Sequence, residues 1–157
     1  MVFTGIEKHE IKAVEDILRS TDFFYEFEIQ TALEIAHETM AHGSEKSGYF
    51  WMKIIDEDGL VAFANYGKNA FSTHSWDLYW IAVHNNSRSK KLGSVLLEAV
   101  EKDVKEKGGK ILWIETSGRP LYAPTEGFYL KNGYKLQATL EEFYGPGDPK
   151  RIYSKTL

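Results

Sequence analysis

The residues best suited to chemistry run from Val83 to Ser94, Val83-His84-Asn85-Asn86-Ser87-Arg88-Ser89-Lys90-Lys91-Leu92-Gly93-Ser94. An apolar and aromatic run, Leu78 to Val83, ends here, and a helical rhythm of Leu92, Val95, Leu96 and Ala99 begins. A helix entered from a strand presents N–H groups without intrahelical acceptors, and its dipole favours an anion. No Asp or Glu lies between Leu78 and Leu97, although the chain carries 23 acidic against 19 basic residues, and Arg88, Lys90 and Lys91 gather at the helix entrance. This local reversal of sign suits a polyanion such as a diphosphate; the alternative is a solvated charge patch ahead of a surface helix. Glu115 ends a second apolar run, Ile111 to Ile114, where partial burial is expected to raise its carboxyl into a useful range. Asp77 opens the central run, and a Gly/Pro turn runs from Tyr144 to Pro149 with Asp148 inside it.

The elements that must position these residues follow from periodicity. Ile11, Val14 and Leu18, then Ile29, Leu33, Ala36 and Met40, repeat at three and four and predict two amphipathic helices. Tyr49–Ile55 and Leu60–Tyr66, joined by Asp56-Glu57-Asp58-Gly59, read as an antiparallel hairpin. Leu78–Val83 reads as a central strand covered on both faces. A helix from about Lys90 is closed by Gly108-Gly109, and Ile111–Ile114 is a further strand, so this stretch is a βαβ unit with parallel strands. Thr125 is expected to cap a short helix through Phe128 and Tyr129 to Lys131. Strands at about Tyr134–Phe143 and Arg151–Lys155 follow. The expected class is α/β (α+β): one domain over residues 1–157 with a mixed, twisted central sheet and helices on both faces.

The balance of −4 gives no electrostatic reason to bind nucleic acid. With no cysteine, a disulfide framework, thiolate-bound zinc and covalent catalysis through a thiol are excluded. The N-terminus lacks an apolar targeting region, and the six-residue central run falls far short of the ~20 residues a spanning helix needs, so a cytoplasmic protein without membrane attachment is expected. His37 and His42 look like a zinc-helix signature, but five residues put them about 140° apart around a helix, and no metal is expected. The aromatic group Phe23, Phe24, Tyr25 and Phe27 is expected to pack beneath the first helices.

Arg88-Ser89-Lys90-Lys91-Leu92-Gly93 resembles the Arg/Gln-x-x-Gly-x-Gly/Ala pyrophosphate loop of the GNAT superfamily of acyl-CoA-dependent N-acetyltransferases. Phe128-Tyr129-Leu130-Lys131-Asn132-Gly133-Tyr134 is similar to that family's Phe-Tyr-x-Lys-x-Gly-Phe segment. The order of elements agrees from about Ile29 to the C-terminus. Lys91 departs from the pattern by standing where the family has Gly.

The resemblance implies acetyl-CoA as cosubstrate. Its diphosphate would lie on backbone amides of Arg88, Ser89, Lys90, Lys91, Leu92, Gly93 and Ser94. Its pantetheine arm would run along Ile81, Ala82 and Val83, with Tyr122 a further contact. Tyr129 matches the family's general acid beside the sulfur. Asp77 falls, by ungapped counting from Gly93, where histone acetyltransferases carry a catalytic Glu, and Glu115 is the other base candidate. Tyr144 and Asp148 would border the acceptor pocket, and the acceptor would be a small-molecule or peptide primary amine, with a homodimer left open. The rival reading is a sensor or scaffold that binds acyl-CoA without transferring anything.

Overall fold

The computed structural model describes residues 1–157, the side chain of Ser89 excepted. Strand β1 (Val2–Thr4) and a 3-10 turn (Lys8–Glu10) lead into helices α1 (Ile11–Ser20), α2 (Glu26–His42) and α3 (Ser44–Ser47). Strands β2 (Phe50–Asp56), β3 (Gly59–Lys68) and β4 (Ser75–Val83) precede a 3-10 segment (Asn85–Lys90) and helix α4 (Leu92–Glu106). Strand β5 (Ile111–Ser117), a 3-10 turn (Pro120–Tyr122), helix α5 (Ala123–Lys131) and strands β6 (Lys135–Gly145) and β7 (Asp148–Thr156) complete the chain. The strands form one mixed sheet in the order β1-β2-β3-β4-β5-β7-β6, with β4 the fourth of seven, as its apolar run predicts. Among the described residues no helix is long and apolar enough to cross a membrane.

The chain resolves into two compact units, Met1–Gly67 with Tyr79–Asp103, and Lys68–Leu78 with Val104–Leu157. In the first, β1, β2 and β3 form an antiparallel ladder whose hairpin closes where Asp58 N–H reaches Asp56 Oδ1 at 2.9 Å and Gly59 takes φ +104°. The middle of β2 and β3 is buried on both faces. On one face Trp51 and Phe63 meet Val14, Ile17 and Leu18 of α1 and Ile29, Ala32 and Ala36 of α2. On the other, Tyr66 reaches α4, its hydroxyl donating to Asp103 Oδ2 at 2.6 Å. Helices therefore cover both faces of this unit's sheet.

The buried stripe of α2 differs from the expected one. It is Ile29, Ala32, Ala36 and Thr39, while Leu33 is half-buried and Met40 is 38% exposed. Small residues let the helix approach the sheet closely, and Thr39 can be buried because its hydroxyl donates to Ile35 C=O (2.8 Å) and accepts from Trp51 Nε1 (2.9 Å). The same face holds an ion pair that periodicity does not reveal: Lys53 Nζ lies 2.6 Å from both Glu10 carboxylate oxygens, with both side chains buried.

In the second unit β4 runs parallel to β5, pairing Ser75–Leu78 with Ile111–Ile114, and β5 pairs with β7 over its whole length. The α4 helix ends as its two glycines predict. Gly108 is left-handed at φ +86°, and Gly109 lies so close to Trp76 and Val104 that a Cβ there would sit 2.4–2.8 Å from their side chains. Two expectations fail. Thr125 is inside α5 and not its cap; Tyr122 holds that place, because Pro124 fits the first turn, where its missing N–H costs nothing. The turn expected over Tyr144–Pro149 shrinks to Pro146-Gly147, since Gly145 already pairs with Asp148 and Pro149 stands near the start of its strand, where proline is tolerated. The full coverage expected for the central run also fails at Tyr79, which is 43% exposed.

Candidate active site

In the first unit the β4 strand hands over to α4 through a braced segment. Ile81, Ala82 and Val83 are its last three residues, with the Ala82 side chain in the core. His84 N–H then donates to Val61 C=O at 2.8 Å. The His84 side chain and carbonyl cap the 3-10 segment: Nδ1 accepts from Asn86 N–H at 3.2 Å, and the carbonyl accepts from Ser87 N–H at 2.8 Å. Ser87 is buried, whereas Arg88 and Lys90 are exposed. The Ser89 side chain lies outside the described structure.

Lys91 then adopts φ 56° and ψ 21°, a left-handed conformation that glycine takes freely and other residues take at a cost of about 1–2 kcal/mol. The turn into α4 thus keeps the backbone path of a glycine and fills it with lysine. Its carbonyl accepts from Val95 N–H at 3.2 Å, the first bond of the helix. The N–H groups of Leu92, Gly93 and Ser94 belong to the first turn, which offers no intrahelical acceptor, and no acidic residue stands there. Arg88, Lys90 and Lys91 directly precede that turn in the chain, so charge, amides and helix dipole would all favour an anion there.

The second unit holds the ionisable candidates. Asp77 stands opposite Trp113 in the parallel ladder, and Glu115 is two residues further along the same face of β5. Burial raises the Asp77 carboxyl above its ordinary range, and the nearby Glu115 charge pushes the same way. Against this, Asn69 Nδ2 donates to Asp77 Oδ2 at 3.1 Å and stabilises the anion. The partial burial expected at Glu115 is not found. Its side chain is half exposed and pairs with Lys150 Nζ at 2.6 Å. The better-buried carboxylate is Asp77.

Tyr129 projects from α5 into an aromatic cluster, 5.9 Å from the Tyr134 ring and 5.8 Å from the Tyr153 ring, and is 4% exposed. Burial drives its hydroxyl well above the ordinary tyrosine range, so it stays protonated at every working pH. Tyr122, the residue before α5, carries the Arg119 guanidinium 5.6 Å from its ring centroid. Asp148 is already engaged: it accepts a hydrogen bond from Ser117 Oγ and lies 3.4 Å from Arg119 Nε. Tyr144 is 48% exposed and stacks edge-on against Phe143. A cavity of about 240 Å³ opens between Ser117, Arg119, Tyr122, Ala123, Glu126 and Arg151, with Arg151 paired to Glu126 at its wall. Spacing gave no hint of Arg151 and Glu126, which stand 25 residues apart.

A family model described as the acetyltransferase (GNAT) family matches residues 11–134. A protein from Desulfovibrio desulfuricans assigned to that family is 35% identical over 99% of this chain and 98% of its own, with a TM-score of 0.96. This chain belongs to the GNAT family of acetyltransferases. An aminoglycoside 6′-N-acetyltransferase complexed with coenzyme A shares the GNAT fold at 21% identity, covering 99% of this chain and 96% of that one, with a TM-score of 0.79. So does a ribosomal-protein-alanine N-acetyltransferase from Brucella melitensis, at 19% identity, 100% and 99% coverage and a TM-score of 0.80. No curated protein matches the chain at a significant level.

Proposed function

We propose that this GNAT chain moves the acetyl group of acetyl-CoA to a primary amine by direct attack, with donor and acceptor bound together. The observation that carries the reading is the strand-to-helix turn at Lys91, where exposed cations precede first-turn amides free to take a diphosphate. Backbone amides of Arg88 to Ser94 would hold that group, the backbone of Ile81 to Val83 would bond the pantetheine arm as an added strand, and Tyr122 would be a further contact. A GNAT relative complexed with coenzyme A supports the choice of donor.

The chemistry then needs an unprotonated amine, stabilisation of a tetrahedral oxyanion and an outlet for the thiolate. Asp77 fits the base better than Glu115, because burial raises its carboxyl, whereas Glu115 is half exposed and already paired with Lys150. Tyr129 fits the thiolate end as a donor. A cysteine thiol ionises at about 8.5 and a raised tyrosine well above ~10, so full proton transfer from the phenol to a thiolate is uphill. Tyr129 therefore steadies the departing sulfur by hydrogen bonding. The proton that finally neutralises the thiolate leaves the amine nitrogen as the amide forms, so atoms and charge balance. With Asp148 committed to Ser117 and Arg119, the acceptor contact is assigned to Tyr144 and neighbouring backbone, and Asp148 becomes the brace of that hairpin.

The test is amine-dependent release of CoA thiol from acetyl-CoA across small amines, amino acids and peptides. Thiol release that rises with one class of amine supports transfer. Binding of acetyl-CoA with no acceptor-dependent thiol from any of them leaves the sensor reading.

A further inference from the structure

We infer that Phe23, together with Ser20, positions the diphosphate-binding segment from behind, Phe23 through the Arg88 guanidinium and Ser20 through the Asn85 amide. The inference deepens the donor-binding reading above and rests on it.

Two attachments, 65 residues apart in sequence, join the corner after α1 to this segment. Ser20 is the last residue of α1. Its hydroxyl donates to Ile17 C=O at 2.7 Å and accepts from Asn85 N–H at 3.1 Å, so both of its capacities are used and the Asn85 amide is tied to the end of a helix. Three residues on, the Phe23 ring lies under Arg88, with the guanidinium carbon 5.2 Å from the ring centroid. The two contacts catch both ends of Asn85–Arg88.

The corner is firm enough to act as an anchor. Thr21 Oγ1 donates to Leu18 C=O at 2.8 Å and accepts from Phe23 N–H at 3.3 Å, and the next ring, Phe24, stands edge-on to Trp80 of β4 at 5.2 Å. Phe23 is half-buried there, while Tyr25 and Phe27 are 50% and 70% exposed, so the aromatic group expected to pack as one divides in two.

The consequence is preorganisation. An exposed arginine gives up rotamer freedom when it grips a phosphate. A guanidinium already seated on a ring has surrendered much of that freedom. A ring that holds the cation electrostatically does not use up the five N–H donors of the guanidinium, which an anion can still engage. Phe23 is a positioning residue: it acts on the donor through Arg88.

The experiment is calorimetric titration of the full chain with CoA. Phe23→Leu, which keeps apolar bulk and removes the π face, raises the Kd about two- to five-fold, and Phe23→Trp restores it. In an Arg88→Gln background Phe23→Leu changes the Kd no further, which a general loosening of the fold would not produce. Ser20→Ala, which cuts the other attachment, raises the Kd about two- to ten-fold. An unchanged Kd in Phe23→Leu, or an equal loss with and without Arg88, overturns the inference. Should Phe23→Leu not fold, an unchanged Kd in Ser20→Ala overturns it. Failure of the unsubstituted chain to bind CoA removes the donor reading itself, a result distinct from these.

Discussion

Lys91 offers a clean separation of backbone strain from charge. Its φ of 56° and ψ of 21° place a residue with a Cβ in a conformation that costs about 1–2 kcal/mol. Lys91→Ala keeps that cost and removes the ammonium. Lys91→Gly removes both, while the extra freedom of an unfolded glycine returns about 0.4–1 kcal/mol of the gain. Glycine should therefore be the more stable of the two by about 1 kcal/mol, or about 2–4 °C in melting temperature for a chain of this size. If the ammonium also helps to hold the diphosphate, both variants should lose CoA affinity by the same factor, because both lose the charge. Thermal melts give the first comparison and calorimetry the second. Equal melting temperatures for the alanine and glycine variants would refute the strain argument, and unequal CoA affinities would show that the lysine acts through the backbone as well as through its charge.

Tyr129→Phe should lower kcat about a hundred-fold and leave the Kd for CoA unchanged, in steady-state rates paired with a titration, since only a hydrogen bond to the departing sulfur is lost. A base works only in its deprotonated form, so activity should fall as pH drops through the Asp77 pKa. Because burial has raised that pKa, the acid limb should lie above the ordinary carboxylate range, and a pH profile of kcat/KM for Asp77→Asn should lose it. Lys53→Met strands the buried Glu10 carboxylate and should cost about 3–5 kcal/mol in denaturant unfolding, while replacing both partners with apolar residues should restore much of the loss.

Much of the frame was legible because it is written in short-range patterns. The apolar run at Leu78–Val83, the helical rhythm after Lys90 and the glycines at 108 and 109 gave the parallel βαβ unit, and Asp56 to Gly59 gave the first hairpin. The features that escaped depend on partners brought from elsewhere in the chain. The α2 stripe shifted to Ala32, Ala36 and Thr39 because Trp51 supplies a donor for the threonine. Glu115 was expected to be partly buried, but the β5–β7 register pairs Lys150 with Ser117, two residues on, and its ammonium reaches back to the exposed Glu115 carboxylate. Asp148 looked available for an amine until Ser117, 31 residues upstream, claimed its carboxylate. The segment proposed to hold the diphosphate was picked out by its lack of acids and its cluster of cations. Its left-handed lysine and its ties to Ser20 and Phe23 were not, since backbone conformation and long-range contact leave no periodic trace.

The measurement that bears most directly on the account is calorimetric titration of the folded chain with CoA, set beside Gly93→Asp, which brings a carboxylate into the first turn of α4. The account predicts saturable binding with one equivalent of CoA and its near loss in the variant, at an unchanged fold by circular dichroism. No heat from the unsubstituted chain, or equal affinity in the variant, would contradict a diphosphate seated on those amides.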